Sequence, residues 1–578
     1  MGVIQGIISQ LQGAGGICFV KAGFVGVGAV MKHYPDMSKK GESSENPQAL
    51  PVSGTAGLRR DVTVWGSFMW GYADVGADIY AALGLVIAAT QGGAVAAFAL
   101  AGIVYIMIGL AYTELAAAYP VAGGGQYFAL RGLGDFWGFV AGSALLLDYT
   151  IDIALFTVAS AGYVNFFFPA LRTFAVTLGP FREVSVVWGM EAILIVIFLI
   201  WLNIRGMRES SLVNEILGAV DIISESSIII FGFLFAWKPE LLVSQWQWQV
   251  QHWNWNQFMY GSSLAIISFV GLESISQAAQ ETRRPATIVP RTSIALIFTV
   301  FIFAISFSTL SLGILPWQAF VGREGDPVAM LVHNIPYIGF LAGPFAAMLG
   351  ATILLISANS GVMSASRLTF SMSQFHFISP WFDVVHPKYR TPTRTITIFS
   401  AIGIVQILLA FLFGQDTAME ILGNMYAFGA TLGYSLVFIA LIRLRFTDPY
   451  TPRPYKMPLN FKVRHRQREI DVPVLGFIGT AGVLFVLTEV VLTHTIGRIA
   501  GPCWVLLCFI YYVWYRKKIG LPVFRTTKRD WETEQKAVLQ SAEEFELLEH
   551  YRLALAERDK LMKKQPHPEA LKGKDRRV

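Results

Sequence analysis

Acidic side chains stand at five positions of this chain where acid is expensive. The run Gly71-Tyr72-Ala73-Asp74-Val75-Gly76-Ala77-Asp78-Ile79-Tyr80 lies in a long apolar stretch, and so does Leu147-Asp148-Tyr149-Thr150-Ile151-Asp152. A third apolar stretch contains Phe269-Val270-Gly271-Leu272-Glu273-Ser274. A charged side chain at the centre of a membrane span costs roughly a few kcal/mol or more, so it persists where a partner, a cavity or an ion path receives it. Asp74 and Asp78, like Asp148 and Asp152, are four residues apart and share one face of a continuous helix. Carboxylates gathered in this way can hold a cation, bind an amine, or take up and release a proton. They imply an internal polar cavity.

Glycines accompany the acids. Gly71 and Gly76 mark the first stretch, and Gly271 marks the third. In carriers built from inverted repeats, Gly-interrupted helices at corresponding places in the two halves point to the binding site. Unwound backbone at membrane depth is useful only where its N–H and C=O groups meet a ligand, an ion or water. The candidate site is therefore a cavity between spans one, three, six, eight and ten.

The elements that must position these groups are membrane helices. Of 578 residues, 54% are hydrophobic and only 15% charged, and the mean hydropathy is +0.51. Such a balance cannot cover a water-soluble surface. Apolar runs of roughly 20 residues, the length that spans a bilayer, recur about twelve times. The expected spans are 62–90, 94–119, 136–168, 187–202, 212–237, 258–279, 292–315, 338–366, 395–413, 419–444, 472–492 and 498–515. The third and eighth are overlong, which suggests tilt or continuation into water. The fold class is an all-α polytopic membrane protein. Spans one to five and six to ten form the two repeats, with helices one and six broken and two further spans appended.

Lys and Arg set the orientation, because short cytoplasmic loops retain them. With the N-terminus inside, the cytoplasmic segments hold Lys39, Lys40, Arg59, Arg60, Arg205, Arg208, Arg283, Arg284, Arg291, Lys388, Arg390, Arg394 and a cluster from Arg443 to Arg468. The opposite loops hold little beyond Arg172, Arg182, Lys238, Arg323 and Arg498. Both termini are expected in the cytoplasm and the protein in the plasma membrane. The net charge of +6 then reflects loop asymmetry and not nucleic-acid binding.

Three regions follow: an interfacial or cytoplasmic extension at 1–60, a twelve-helix transporter domain at 61–517, and a charged cytoplasmic tail at 518–578. Within the tail, Phe545, Leu547, Leu548, Tyr551, Leu555 and Leu561 form an amphipathic stripe. Its plain reading is a solvated helix, and partner binding is the alternative. Cys18, Cys503 and Cys508 form no disulfide framework. Gly123-Gly124-Gly125 is followed by Gln126 and lacks the Lys-Ser/Thr of a phosphate loop, and no His/Cys metal spacing occurs. No enzyme activity, cofactor or metal is expected.

Several motifs in order resemble the amino acid/polyamine/organocation superfamily with its LeuT-type fold, over about 65–515. They are Pro120 with Gly123-Gly124-Gly125-Gln126-Tyr127, Gly271-Leu272-Glu273, Gln280-Glu281-Thr282-Arg283-Arg284-Pro285 with Val289-Pro290-Arg291, and Ala358-Asn359-Ser360 with Ser366-Arg367. In amino-acid carriers of this kind a Gly-Ser-Gly-like turn in helix one holds the substrate carboxylate. The matching residues here are Gly76-Ala77-Asp78, so an acid replaces the second glycine, and an anion would face an anion. Tyr72-Ala73-Asp74-Val75-Gly76, Leu147-Asp148-Tyr149 and Tyr426 resemble potassium-uptake permeases of the same superfamily instead. Those carriers use hydroxyl residues where Asp152, Phe156 and Val270 stand. Many proton-coupled members have a Lys in span five, whereas this span has Asp221 and Glu225. Proton coupling would then fall to Asp74, Asp148 or Glu273.

The resemblance implies an alternating-access carrier of an amino acid or related cationic amine, coupled to protons. Gly76, Ala77, Asp78, Gly271 and Tyr426 would contact substrate, and Asp74, Asp148, Asp152 and Glu273 would bind protons or a monovalent cation. A K⁺/H⁺ symporter is the alternative. A carrier-like sensor signalling through the 530–564 tail is a third reading.

Overall fold

The computed structural model describes residues 62–564, apart from 173–175, 178–182, 206–207, 324, 338, 390, 413–417, 466–467 and 495. The 1–60 extension and Cys18 lie outside the described residues. Eleven helical stretches among those described are long and apolar enough to cross a membrane. The first, Val64–Ala118, has 55 residues, far more than the roughly 30 Å of bilayer core requires. It folds back at Gln91–Gly93, where Gln91 has φ 54°, and so supplies two crossings. The expected twelve spans are thus present.

Span 1 consists of Val64–Val75 and Asp78–Thr90, and span 2 is Ala94–Ala118. A short helix, Gly124–Leu133, precedes span 3 at Asp135–Val164, with Gly134 at φ 101° between them. Spans 4 and 5 are Val186–Arg205 and Arg208–Phe235. Span 6 is composite: Trp255–Leu264, a 3₁₀ segment Ala265–Phe269, and Glu273–Ala278. Spans 7 to 12 are Pro285–Ile314, Gly339–Gln374, Thr393–Leu412, Ala418–Thr447, Val474–Thr493 and Gly497–Lys518.

Several expected bounds move: span 7 begins at Pro285 and not 292, and span 5 at Arg208 and not 212. Span 3 ends at Val164, and Phe167 and Phe168 beyond it are exposed. Span 8 runs past the expected 366 to Gln374, 36 residues in all.

The outer helices are apolar on their exposed sides, as at Leu194, Ile223, Leu234 and Leu507. Such surface is stable against lipid and not against water. Span 3 is the opposite case. It is almost wholly buried and packs along spans 8 and 10, so its two acids cannot reach lipid. A break in span 6 and the acids of spans 1 and 3 therefore meet in the middle of the bundle.

One face of the bundle carries the helix Gly124–Leu133, a β-hairpin of Asn460–His465 with Arg468–Pro473, and the tail helices Trp531–Ser541 and Phe545–Lys564. Arg131, Arg445, Arg453, Lys456 and Lys462 stand here, which makes this the basic face. The tail is not a solvated helix. Leu548, Tyr551 and Leu555 are buried with Leu539 and pack on Tyr450, while Phe545 of the expected stripe is exposed. Gln535 donates to the carbonyl of Ala118 at 2.9 Å, and Arg131 lies 5.2 Å over the Trp531 ring.

Candidate functional site

The two helix breaks differ in kind and touch each other. In span 1, Gly76 and Ala77 interrupt the helix for two residues yet keep right-handed dihedrals. In span 6 the interruption is complete: Val270 is extended and Gly271 has φ 111°. Only glycine adopts that conformation readily. A Cβ on Gly271 would lie 3.1 Å from both Asp74 Cγ and Val75 N, so the break of span 6 is seated directly on Asp74.

Every expected site residue lines this junction. Asp74, Asp78, Asp148, Asp152, Glu273 and Tyr426 are all at most 3% exposed. Ser274 and Ser360 present hydroxyls to Asp74, and the Ser357 hydroxyl donates to its backbone carbonyl at 3.1 Å. Asp78 faces Asp152, which faces Asp74 in turn, and Asp148 faces Glu273. Tyr426 lies beside Asp78 and Asp152 and meets Phe156 edge-on at 5.8 Å. Span 8 closes the wall at Gly361, where a Cβ would come within 2.3 Å of Asp152 Oδ2. Residues from spans 1, 3, 6, 8 and 10 thus converge as the sequence suggested.

What the carboxylates lack is a paired cation. Both oxygens of Asp78 are buried with no hydrogen-bond partner among the described residues, whereas Asp148 and Glu273 stand against each other and the Tyr426 hydroxyl stands against Asp152. No Lys or Arg among those residues forms an ion pair with any of the five acids. Glu273 Oε2 is well held, accepting from the Tyr434 hydroxyl at 2.7 Å and the Gly271 N–H at 3.2 Å. Buried polar atoms are ordinarily satisfied, and buried charges ordinarily paired. A cluster of buried acids without a paired cation is chemically complete only when protons or a cationic group join it.

Sequence reasoning missed three supports. Tyr434 lies about two turns beyond Tyr426 on span 10, a spacing that should have drawn attention to it. Tyr149 accepts from Gln277 at 3.1 Å and links span 3 to the inner end of span 6. The third is in span 5. The Tyr72 hydroxyl lies 2.9 Å from Asp221 Oδ2 and 2.6 Å from Glu225 Oε2, and the Tyr80 hydroxyl lies 3.1 Å from Asp221 Oδ1. Tyr72 and Tyr80 flank the break of span 1, so span 5 staples its two halves together. Two phenol hydroxyls thus meet three carboxylate oxygens of this pair.

The basic side of this junction is bridged. Arg367 of span 8 pairs with Glu281, just past span 6, at 2.8 Å, and lies 4.5 Å over the Trp70 ring of span 1. These three gate residues tie together spans 1, 6 and 8.

The family model for amino acid permeases matches residues 63–513. The chain is 25% identical over 476 residues to the branched-chain amino acid permease of Bacillus subtilis (strain 168), covering 81% of this chain and 95% of that protein. It is 26% identical over 393 residues to the methylthioribose transporter of the same bacterium, covering 66% and 80%. It is 25% identical over 390 residues to cationic amino acid transporter 4 of Mus musculus, covering 65% and 58%. These matches give the potassium-uptake alternative no support.

Proposed function

This chain belongs to the amino acid permease family, and from that premise we propose that its substrate is a cationic amino acid or a related amine, carried inward by alternating access with proton coupling. The chain is a multi-pass membrane transporter of the amino acid/polyamine/organocation type and not an enzyme. The proposed setting is the plasma membrane, with both termini and the basic face in the cytoplasm, as the Lys and Arg distribution favours.

The observation that carries the substrate class is the cluster of buried carboxylates at Asp78, Asp148 and Asp152, with which no Lys or Arg among the described residues pairs. An ammonium or guanidinium brings several N–H donors to such a group, and charge-assisted bonds to carboxylate are the strong ones. Asp78 beside Gly76 and Ala77 would repel a substrate carboxylate unless a proton or the substrate's own cation offset it. Gly76, Ala77, Gly271 and Tyr426 then shape the pocket, while Asp74, Asp148, Asp152 and Glu273 carry the coupled proton. Support for proton coupling comes from the five acids, none of which pairs with a Lys or Arg among the described residues, and from the hydrogen-bonded group of Tyr72, Asp221 and Glu225. Some relatives are described as cationic amino acid transporters, which agrees with the charge argument.

The test is uptake by purified protein in liposomes, with labelled arginine, lysine, putrescine and leucine compared with and without an inward proton gradient. Gradient-driven accumulation of a cationic compound is expected, and Asp148→Asn should abolish it. Leucine accumulation with no response to arginine would overturn the charge argument.

A further inference from the structure

We propose that the C-terminal tail is a latch that holds the gate on the basic face shut. The proposal rests on the alternating-access reading above. Val62 N donates to Glu281 O at 3.1 Å, and Arg283 N donates to Val62 O at 3.2 Å. The start of span 1 and the segment leaving span 6 are therefore tied as one piece, and that piece carries Glu281 and Trp70 of the gate. Three residues past Arg283, the Ala286 N–H donates to Glu544 Oε1 at 3.1 Å. Glu544 sits at the turn between the two tail helices and is 6% exposed.

The other attachments of the tail lead elsewhere. Gln535 Nε2 donates to Ala118 O at the end of span 2, 2.9 Å away. The Tyr127 hydroxyl donates to Glu534 Oε1 at 3.0 Å. Arg529 pairs with Asp135 at the start of span 3 at 2.5 Å, and Arg516 of span 12 pairs with the same Asp135 at 2.8 Å and donates to Pro522 O of the tail at 2.7 Å. The tail thus bridges the gate piece on one side and spans 2, 3 and 12 on the other. The gate cannot swing away from spans 2 and 3 without parting Glu544 from Ala286. A cavity of about 530 Å³, lined in part by Arg131, Trp531, Tyr551 and Arg558, remains under the tail. The tail is held by the small apolar cluster of Leu539, Leu548, Tyr551 and Leu555 and by separate polar contacts with space beside them, a lightly packed seating that suits a part that must release.

The latch is tested in the full chain, in liposomes, with the native cysteines replaced. Ser276→Cys, buried against Gly124 behind the gate, reports opening through its labelling by a membrane-impermeant maleimide. Glu544→Ala is expected to speed that labelling several-fold. A cleavable crosslink between Ala286→Cys and Glu544→Cys is expected to stop both labelling and arginine uptake, and its cleavage to restore them. Unchanged labelling in Glu544→Ala, or full labelling with the crosslink in place, would overturn the latch. If Glu544→Ala does not fold, the crosslinked protein still decides the matter. Loss of uptake in the uncrosslinked protein would count against the carrier reading alone, because labelling reports the latch without it.

Discussion

Gly271 and Asp152 are the positions at which single substitutions should be most informative. Gly271 combines φ 111° with a seat against Asp74 and Val75. Gly271→Ala meets both objections and should cost about 1–3 kcal/mol of strain. The expected outcome is a folded protein with lower melting temperature and no uptake. Asp152→Asn points the other way. It removes one buried charge from a group of like charges, so the protein should become more stable, by about 0.5–2 kcal/mol, while losing uptake of cationic substrate, as strained functional sites commonly trade one for the other. Thermal denaturation beside uptake checks both. If Asp152→Asn leaves stability lower and uptake intact, Asp152 is a packing residue. The acids were legible in the sequence because a charge in an apolar run is rare. Tyr434, Tyr72 and Tyr80 were not, because tyrosine is common in spans and nothing local says which hydroxyl meets an acid.

Among the elements, the spans were read nearly to their ends from apolar length, while their interruptions were read only in outline. Gly76 promised an unwound segment, yet span 1 loses regular hydrogen bonding for two residues and keeps its course. Span 5 holds both halves of it through Tyr72 and Tyr80, a long-range contact that the local sequence does not encode. The gate makes a prediction at this scale. Arg367 uses one planar cation both to pair with Glu281 and to lie over Trp70, a dual use that lysine does not reproduce. Arg367→Lys should therefore raise labelling of Ser276→Cys from the basic face, and unchanged labelling would remove Arg367 from the gate.

The helix Gly124–Leu133 is fastened to the end of span 10 by Arg131 and Asp448, 2.9 Å apart. Burial alone would raise the Asp448 carboxyl, but the Arg131 guanidinium outweighs it and holds the group below its ordinary value. A depressed acid contributes stability above the unfolded value of about 4 and loses it as pH falls through the folded value. The melting-temperature deficit of Asp448→Asn should accordingly be large at neutral pH and shrink in acid. A deficit that does not vary with pH would assign Asp448 a role other than its charge.

At the scale of the molecule, the class, the number of crossings and the convergence of spans 1, 3, 6, 8 and 10 were all present in the pattern of apolar runs, acids and glycines. The docked tail was not. Its stripe of Leu548, Tyr551 and Leu555 announces an apolar face, but the partner, Tyr450 just beyond span 10, is about a hundred residues away in sequence and carries no mark of the pairing. The buried acids give the whole arrangement its direction: a cluster of carboxylates with no Lys or Arg partner among the described residues must receive positive charge.

The most direct test is accumulation of labelled arginine in liposomes under an inward proton gradient, compared with leucine under the same gradient. The account predicts gradient-dependent arginine accumulation that leucine does not compete away and that Asp148→Asn abolishes. Accumulation of leucine in preference to arginine, or arginine uptake indifferent to Asp148, would contradict it.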